Sequence, residues 1–293
     1  MLRRLLFFAG AALVFILGSG IAIWRAISSP YPYSFIFFGD AGEPNQHWNA
    51  IATSIVKQVQ TDPIDGLFML GDNIYDSGAT SATDPRFAEL YEKPFAPISA
   101  SSKIDVVLGN HDVITDNGQG ELDYAAMHAY WHLPSQYYAD TYGPIEVIGL
   151  DSNQAAVDQV QLDFLREELT NDHAQLHIVL AHHPIYSSGL HGRANDQPWM
   201  HTLVQPVLQA GNADFFLAGH DHDFEAIKSD GSGVNYIVCG GAARPRPITA
   251  SALSEQVLEG YTFCRLDVSK QQAVLRVYGE TGEQLWQKEY VLR

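Results

Sequence analysis

Five times along this chain a short apolar run stops at a cluster of glycine, histidine, asparagine or aspartate. The runs are 33–38, 66–70, 104–108, 177–181 and 213–218. They lead into Gly39-Asp40-Ala41-Gly42, Gly71-Asp72-Asn73-Ile74-Tyr75, Gly109-Asn110-His111-Asp112, His182-His183-Pro184 and Gly219-His220-Asp221-His222. Runs of this length bounded by turn residues read as buried strands, and ligands collect beyond the carboxyl ends of strands in open α/β sheets. One such cluster is an ordinary turn, since Gly-Asp and Gly-Asn are common turn pairs. Five of them, each carrying hard-oxygen or imidazole donors, are not explained by turn chemistry alone.

Between the runs the pattern alternates. Trp48, Ile51, Ile55, Val56 and Val59 recur at helical spacing, which predicts a helix over 46–60. Further helices are expected over 161–169 and around 199–209, and strands over 145–150, 234–238, 261–268, 273–278 and 284–291. No repeat and no interdomain linker interrupts the pattern. The expected architecture is a single α/β domain over 34–293, with strands and helices alternating first and a β-rich end. The 293 residues, 46% of them apolar, suffice for one large core or two modest ones.

The first segment reads as a targeting element over 1–27. Arg3 and Arg4 precede an apolar run from Leu5 to Trp24, about the 20 residues needed to span a bilayer. That is longer than the hydrophobic region of a cleaved signal peptide, and Ile21-Ala22-Ile23-Trp24 is a poor cleavage context. An uncleaved anchor with an exported, extracytoplasmic remainder is expected, with a cleaved signal and a secreted or periplasmic protein as the other reading. Arg25, on the far side of the run, pulls slightly against this orientation. Residues 28–33 form a short linker, extended because each proline biases its predecessor away from helix. Cys239 and Cys264 are the only cysteines, so any bridge is a single one; both lie in apolar stretches where buried thiols are also common.

Charge narrows the partners. With 17 basic against 34 acidic side chains, a net charge of −17, the chain is unsuited to nucleic acid. An anionic substrate would need local attraction, such as bound metal cations. Asp, Asn, Tyr and His together suit Fe, Mn or Zn rather than a soft thiolate site. Two cations held ~3.5–4 Å apart need a shared carboxylate to offset their repulsion. No glycine loop of the nucleotide-triphosphate type is present.

The five blocks resemble those of the dinuclear, calcineurin-like metallophosphoesterases, and among them the purple acid phosphatases of the small, tartrate-resistant type. Asp40-Ala41-Gly42, Gly71-Asp72-x-x-Tyr75, Gly109-Asn110-His111-Asp112, a histidine block ending at His182, and Gly219-His220-Asp221-His222 occur in the family's order, over about 34–241. The resemblance implies a four-layer α/β/β/α sandwich with two central mixed β-sheets. It implies Fe(III) held by Asp40, Asp72, Tyr75 and His222. A second ion, Fe(II), Zn or Mn, would be held by Asp72, Asn110, His182 and His220. Asp72 would bridge the two, and Tyr75 would bind iron as tyrosinate, although a free phenol ionises only near pH ~10. His183 stands where the small enzymes carry an aromatic residue and would pack behind the ligands.

By the same resemblance His111 and His191 would contact phosphoryl oxygens beside Asn110 or protonate the leaving alkoxide, work suited to imidazole. His47, His128, His132, His173, His177 and His201 have no such context. The implied reaction is hydrolysis of a small phosphate monoester by in-line attack of a metal-bound hydroxide, without a phosphoenzyme. The alternative within the superfamily is a Mn-dependent phosphodiesterase or nucleotide hydrolase; such relatives carry Asp-x-His in the first block and lack the tyrosine, whereas this chain has Gly42 and Tyr75. A catalytically silent, membrane-tethered binding protein would be expected to show broken ligand blocks, and none is broken.

Overall fold

Strand β1 (Tyr33–Phe38) shows how the layers are built. Phe35 and Phe37 point to one side, Ile36 and Phe38 to the other, and all four are fully buried. A strand buried on both faces must lie between two apolar layers. The computed structural model describes residues 32–292 apart from 100–101, 155, 171–173 and 229. The expected anchor or signal over 1–27 and most of the linker lie outside the described residues, among which no helix is long and apolar enough to cross a membrane.

The described residues form two seven-stranded mixed sheets. In the first, β1, β2 (Gly66–Leu70), β3 (Ile104–Val107) and the short β4 (Trp131–His132) run parallel. On the other side of β1 follow β12 (Thr262–Val268), β13 (Gln272–Gly279) and β14 (Gln284–Val291), each antiparallel to its neighbour. The second sheet has a parallel centre of β6 (Ile145–Gly149), β7 (Leu176–Leu180), β8 (Phe215–Ala218) and β10 (Asn235–Cys239). Antiparallel β5 (Tyr138–Tyr142) closes one edge, and β9 (Phe224–Ile227) and β11 (Ser254–Leu258) close the other.

Helix α1 (Gln46–Thr61) covers the outer face of the first sheet with Trp48, Ile51 and Ile55, joined by Phe87, Tyr91 and Phe95 from the helical run 85–95. Asn45 starts α1 by accepting the backbone N–H groups of His47 and Trp48 at 2.9 and 2.8 Å. The outer face of the second sheet is covered by α3 (Gln159–Glu168) and the helical run 200–210, through Leu162, Leu165, Met200, Val204 and Leu208. Between the sheets, Phe35, Phe37 and Phe68 pack towards Ile178, Leu180, Phe215 and Ile237. The result is the anticipated α/β/β/α sandwich.

One covalent link crosses the inner layer. Cys239 at the end of β10 is disulfide-bonded to Cys264 in β12, with Cα atoms 6.5 Å apart and both residues fully buried. Strands β4, β5, β9 and β11 and the helical run 85–95 were not anticipated. Strand β9 follows the fifth cluster directly, and its Glu225 breaks the apolar pattern yet is fully buried, accepting hydrogen bonds from Ser188 N and Oγ at 2.6 and 2.7 Å. Helix α2 (Gln119–Met127) was not anticipated either.

Candidate metal centre

The loops after β1, β2, β3, β7 and β8 meet at one rim, and their backbones fix the meeting point. Asp40 N donates to Gly71 O, Gly42 N to Asp72 O and Tyr75 N to Gly42 O, each at 3.0 Å, which interlocks the first two clusters. Asp40, Asp72 and His220 all have positive φ, 59°, 53° and 69°, a conformation that costs a non-glycine residue and persists only where the surroundings enforce it. Gly109 allows the third cluster to close in: a Cβ there would lie 2.2 Å from both Asp72 N and Oδ1. Asp112 staples the same junction, its buried carboxylate accepting from Asn73 N, Ile74 N and Gly109 N at 2.9, 3.1 and 2.7 Å.

The side chains then converge in two overlapping groups. Tyr75 Oη lies 3.1 Å from Asp40 Oδ1 and 3.2 Å from His222 Nε2, and His222 Nε2 lies 3.3 Å from Asp40 Oδ1. In the second group His182 Nε2 lies 3.0 Å from Asn110 Oδ1, 3.3 Å from Asp72 Oδ1 and 3.1 Å from His220 Nδ1. One oxygen or nitrogen each from Asp40, Asp72 and His182 fall within 4.8 Å of one another. Backbone carbonyls set the tautomers of two of these histidines. His182 Nδ1 donates to Leu70 O at 2.8 Å, and His222 Nδ1 to Arg244 O at 2.6 Å. Each Nε2 is thereby left as a lone pair aimed at the carboxylates.

Electrostatics reinforce this. Burial pushes the imidazolium of His182 and of His222 down to about 3, with Arg246 adding to the shift at His222. His220 is driven down further, by burial and then by its histidine neighbours. All three are neutral donors of lone pairs even in mild acid. Burial, and then the charge of Asp72, raises Asp40; burial raises Asp72. Tyr75 is raised far above a free phenol by burial and then by Asp40 and Asp72. Lone pairs facing lone pairs at 3.0–3.3 Å, with two carboxylates and little N–H to satisfy them, is the donor set that cations complete.

All seven predicted ligands therefore sit together: Asp40, Asp72, Tyr75 and His222 in one group, Asp72, Asn110, His182 and His220 in the other. His111 lies at the mouth, its Nε2 4.0 Å from Asp72 Oδ2, its N–H bonded to Asp72 Oδ1 at 3.0 Å and its Nδ1 2.5 Å from Asp76 O. His191, on the short helix α4 (Leu190–Ala194), lies alongside His220 with ring centres 4.2 Å apart. His183 is buried behind the ligands, with Nδ1 2.9 Å from Ser152 Oγ.

Sequence reasoning gave no role to Ser152, Asp221, Arg244 or Arg246. Asp221 accepts the backbone N–H groups of His191 and Gly192 at 2.9 and 3.1 Å, and so sets α4 against the fifth cluster. Its place inside that cluster was the available signal. Arg244 lies over the Tyr75 ring at 5.3 Å and pairs with Glu43 and Asp76. A second carboxylate–histidine cluster, Asp105, His132 and Asp140, already holds a cation, Lys103, whose Nζ is 2.8 Å from both carboxylates.

The Tyr75 loop has its own brace. Arg86 donates to Tyr75 O and Gly78 O at 2.8 and 2.7 Å, and Asp84 holds Arg86 at 2.6 Å. The Arg86 hydrogen bonds hold the Asp84 carboxyl well below its usual range. Stability from a depressed carboxyl is present above the unfolded pKa of ~3.9 and is lost as pH falls through the folded value. Asp84→Asn is expected to cost about 1 kcal/mol at neutral pH, limited by solvent screening of Arg86. In urea titrations at a series of pH values the variant and the parent should converge in acid; a constant gap down to pH 2 would contradict this assignment.

The family described as calcineurin-like phosphoesterase matches residues 33–224. The tartrate-resistant acid phosphatase type 5 of Oryctolagus cuniculus is 30% identical over 249 residues, covering 73% of this chain and 74% of that protein. The Mus musculus protein of the same name is 28% identical over 237 residues, with 70% and 71% covered. Among solved structures, GAP50, the anchor in the inner membrane complex of Plasmodium, superposes with a TM-score of 0.76 at 19% identity over 89% of each chain. Purple acid phosphatase PPD1 of Lupinus luteus superposes with a TM-score of 0.73 at 16% identity, over 88% of this chain and 53% of that one.

Proposed function

The chain belongs to the calcineurin-like phosphoesterases, hydrolases of phosphate esters that carry two metal ions, and we propose on that premise that it is a phosphatase of small phosphate monoesters. The observation that carries this reading is the convergence of seven donor side chains with Tyr75 among them, and with the histidine Nδ1 hydrogens already committed to backbone carbonyls. The fold alone would not suffice, because the same fold is found in a Plasmodium anchor protein.

Asp40, Asp72, Tyr75 and His222 would hold Fe(III); Asp72, Asn110, His182 and His220 would hold Fe(II), Zn or Mn. When bound, the two ions supply Lewis-acid charge for phosphoryl oxygens and acidify water. The chain does the rest. Asp72 keeps the two groups in register, since its backbone is locked by Gly42 and its Oδ1 by His111 N. His111 Nδ1 donates to Asp76 O, so Nε2 faces the mouth and can carry a proton to the leaving oxygen. We assign the leaving-group proton to His111 rather than to His191, whose Nε2 lone pair is taken by Arg246.

The raised ionisation of Tyr75 requires a strong Lewis acid for a tyrosinate to exist at all. Tyr75→Phe is therefore expected to abolish any visible absorption of the iron-loaded protein and to lower monoester turnover by about tenfold or more. A purified protein that hydrolyses p-nitrophenyl phosphate faster than bis(p-nitrophenyl) phosphate, with two metals per chain, supports the proposal. A colourless, manganese-only protein that prefers the diester would replace it with a phosphodiesterase. Arg3 and Arg4 ahead of the 5–24 apolar run, together with the buried disulfide, support an extracytoplasmic, membrane-tethered placement.

A further inference from the structure

The chain is short of positive charge, with 17 basic residues against 34 acidic ones, yet two arginines stand two residues apart in the loop that follows β10. Their circumstances differ. Arg244 is engaged by Glu43 and Asp76. Arg246 is half-buried, and no carboxylate among the described residues forms an ion pair with it; its side chain hydrogen-bonds to the ring of His191, Nη1 to Nε2 at 3.0 Å. A guanidinium can only donate, so His191 Nε2 accepts, and His191 Nδ1 in turn donates to Asp196 at 3.0 Å. The chain Arg246→His191→Asp196 fixes one tautomer of His191 and one orientation of the guanidinium, and it uses one of five N–H donors.

The loop is held at both ends. Arg246 N donates to His222 O at 2.8 Å, in the middle of the metal centre. At the far end Ser251 and Ser254 gather on Ser188 Oγ at 2.7 and 2.9 Å, beside the buried Glu225. Pro245 and Pro247 flank the arginine and restrict its backbone further. This is a pre-positioned cation. It is close enough for its charge to act on Asp40, Asp72 and His222. It nonetheless lies one row out from the ligands: His182 faces His220, His220 faces His191, and Arg246 caps His191 on the other side. A group bound between the metals would present its leaving portion, rather than its reacting phosphorus, to that outer row.

We infer that Arg246 is a specificity-determining residue that binds a second anionic group, carboxylate or phosphate, on the leaving portion of the substrate. The inference rests on the phosphatase reading above. It makes the preferred substrates phosphate monoesters of acids or of already phosphorylated molecules, matched to the planar, two-pronged donor face of arginine. His191 and Asp196 act as positioning residues for it.

The test compares 4-carboxyphenyl phosphate with 4-nitrophenyl phosphate, near-isosteres that differ in one charge. The readout is the ratio of their kcat/KM values in the full chain and in Arg246→Gln. Differences in leaving-group reactivity cancel between the two proteins. A fall in the ratio of about tenfold or more, with Arg246→Lys intermediate, is the expected result for loss of a charge-assisted hydrogen bond. An unchanged ratio overturns the inference, whether both rates drop together or neither does. Equilibrium titration of both proteins with 4-carboxyphenyl phosphate and inorganic pyrophosphate reads Arg246 without turnover. If the parent protein hydrolyses neither ester, the phosphatase reading fails by itself, and the binding difference between parent and Arg246→Gln still decides the role of the arginine.

Discussion

Asp72→Asn is expected to remove turnover by a factor of at least about 10³ and to leave the protein with fewer than two metals per chain. The size follows from the position of the carboxylate. Two unit charges ~4 Å apart repel by about 4 kcal/mol even at an effective dielectric constant of 20, and multiply charged ions repel by more. The shared carboxylate is what offsets that term. Asparagine is a clean replacement here, because it tolerates the φ of 53° at this residue and its Oδ1 can still accept from His111 N. Circular dichroism should therefore show an intact fold while metal analysis and p-nitrophenyl phosphate kinetics show the loss. Full activity with two bound metals would end the assignment of Asp72 as the bridge.

The second large effect is structural. Cys239→Ala combined with Cys264→Ala removes a link that closes a sequence separation of 25 residues between the two sheets. Chain-entropy reasoning puts the cost at about 3 kcal/mol, which for a domain of this size lowers Tm by roughly 6–12 °C. The effect should appear equally in the parent protein once it has been unfolded, reduced and blocked. Turnover at 25 °C should survive, because no donor of the metal centre is a cysteine. A double variant that melts with the parent would show that the packing between β10 and β12 suffices without the bond.

The parts of the candidate site legible in the sequence share one property: an apolar run long enough to cross a sheet, stopped by a donor that in four of the five clusters follows a glycine. That is why β1, β2, β3, β7 and β8 could be placed and seven candidate donors named at their ends. Strand β9 was not legible because Glu225 interrupts its apolar pattern, and the Ser188, Ser251 and Ser254 hydroxyls near that carboxyl come from 37 and 29 or fewer residues away in sequence. The disulfide was undecidable in the sequence, since a buried thiol and a buried half-cystine favour the same apolar strands. Arg244 and Arg246 belong to none of the five clusters; only the fold brings His191, 55 residues earlier, against Arg246. Nor does a residue type disclose that Asp40, Asp72 and His220 occupy left-handed backbone.

The direction of β1 sets how the molecule would stand on a surface. Tyr33 opens the strand and Asp40 lies just past its end, so the chain enters the sandwich at the rim opposite the metals, about 20 Å away at 3.3 Å per residue. If residues 5–24 anchor the chain as proposed above, the point of attachment would lie at the rim opposite the candidate metal centre. On that proposal the candidate site would face away from the lipid, open to soluble phosphate esters from bulk solvent.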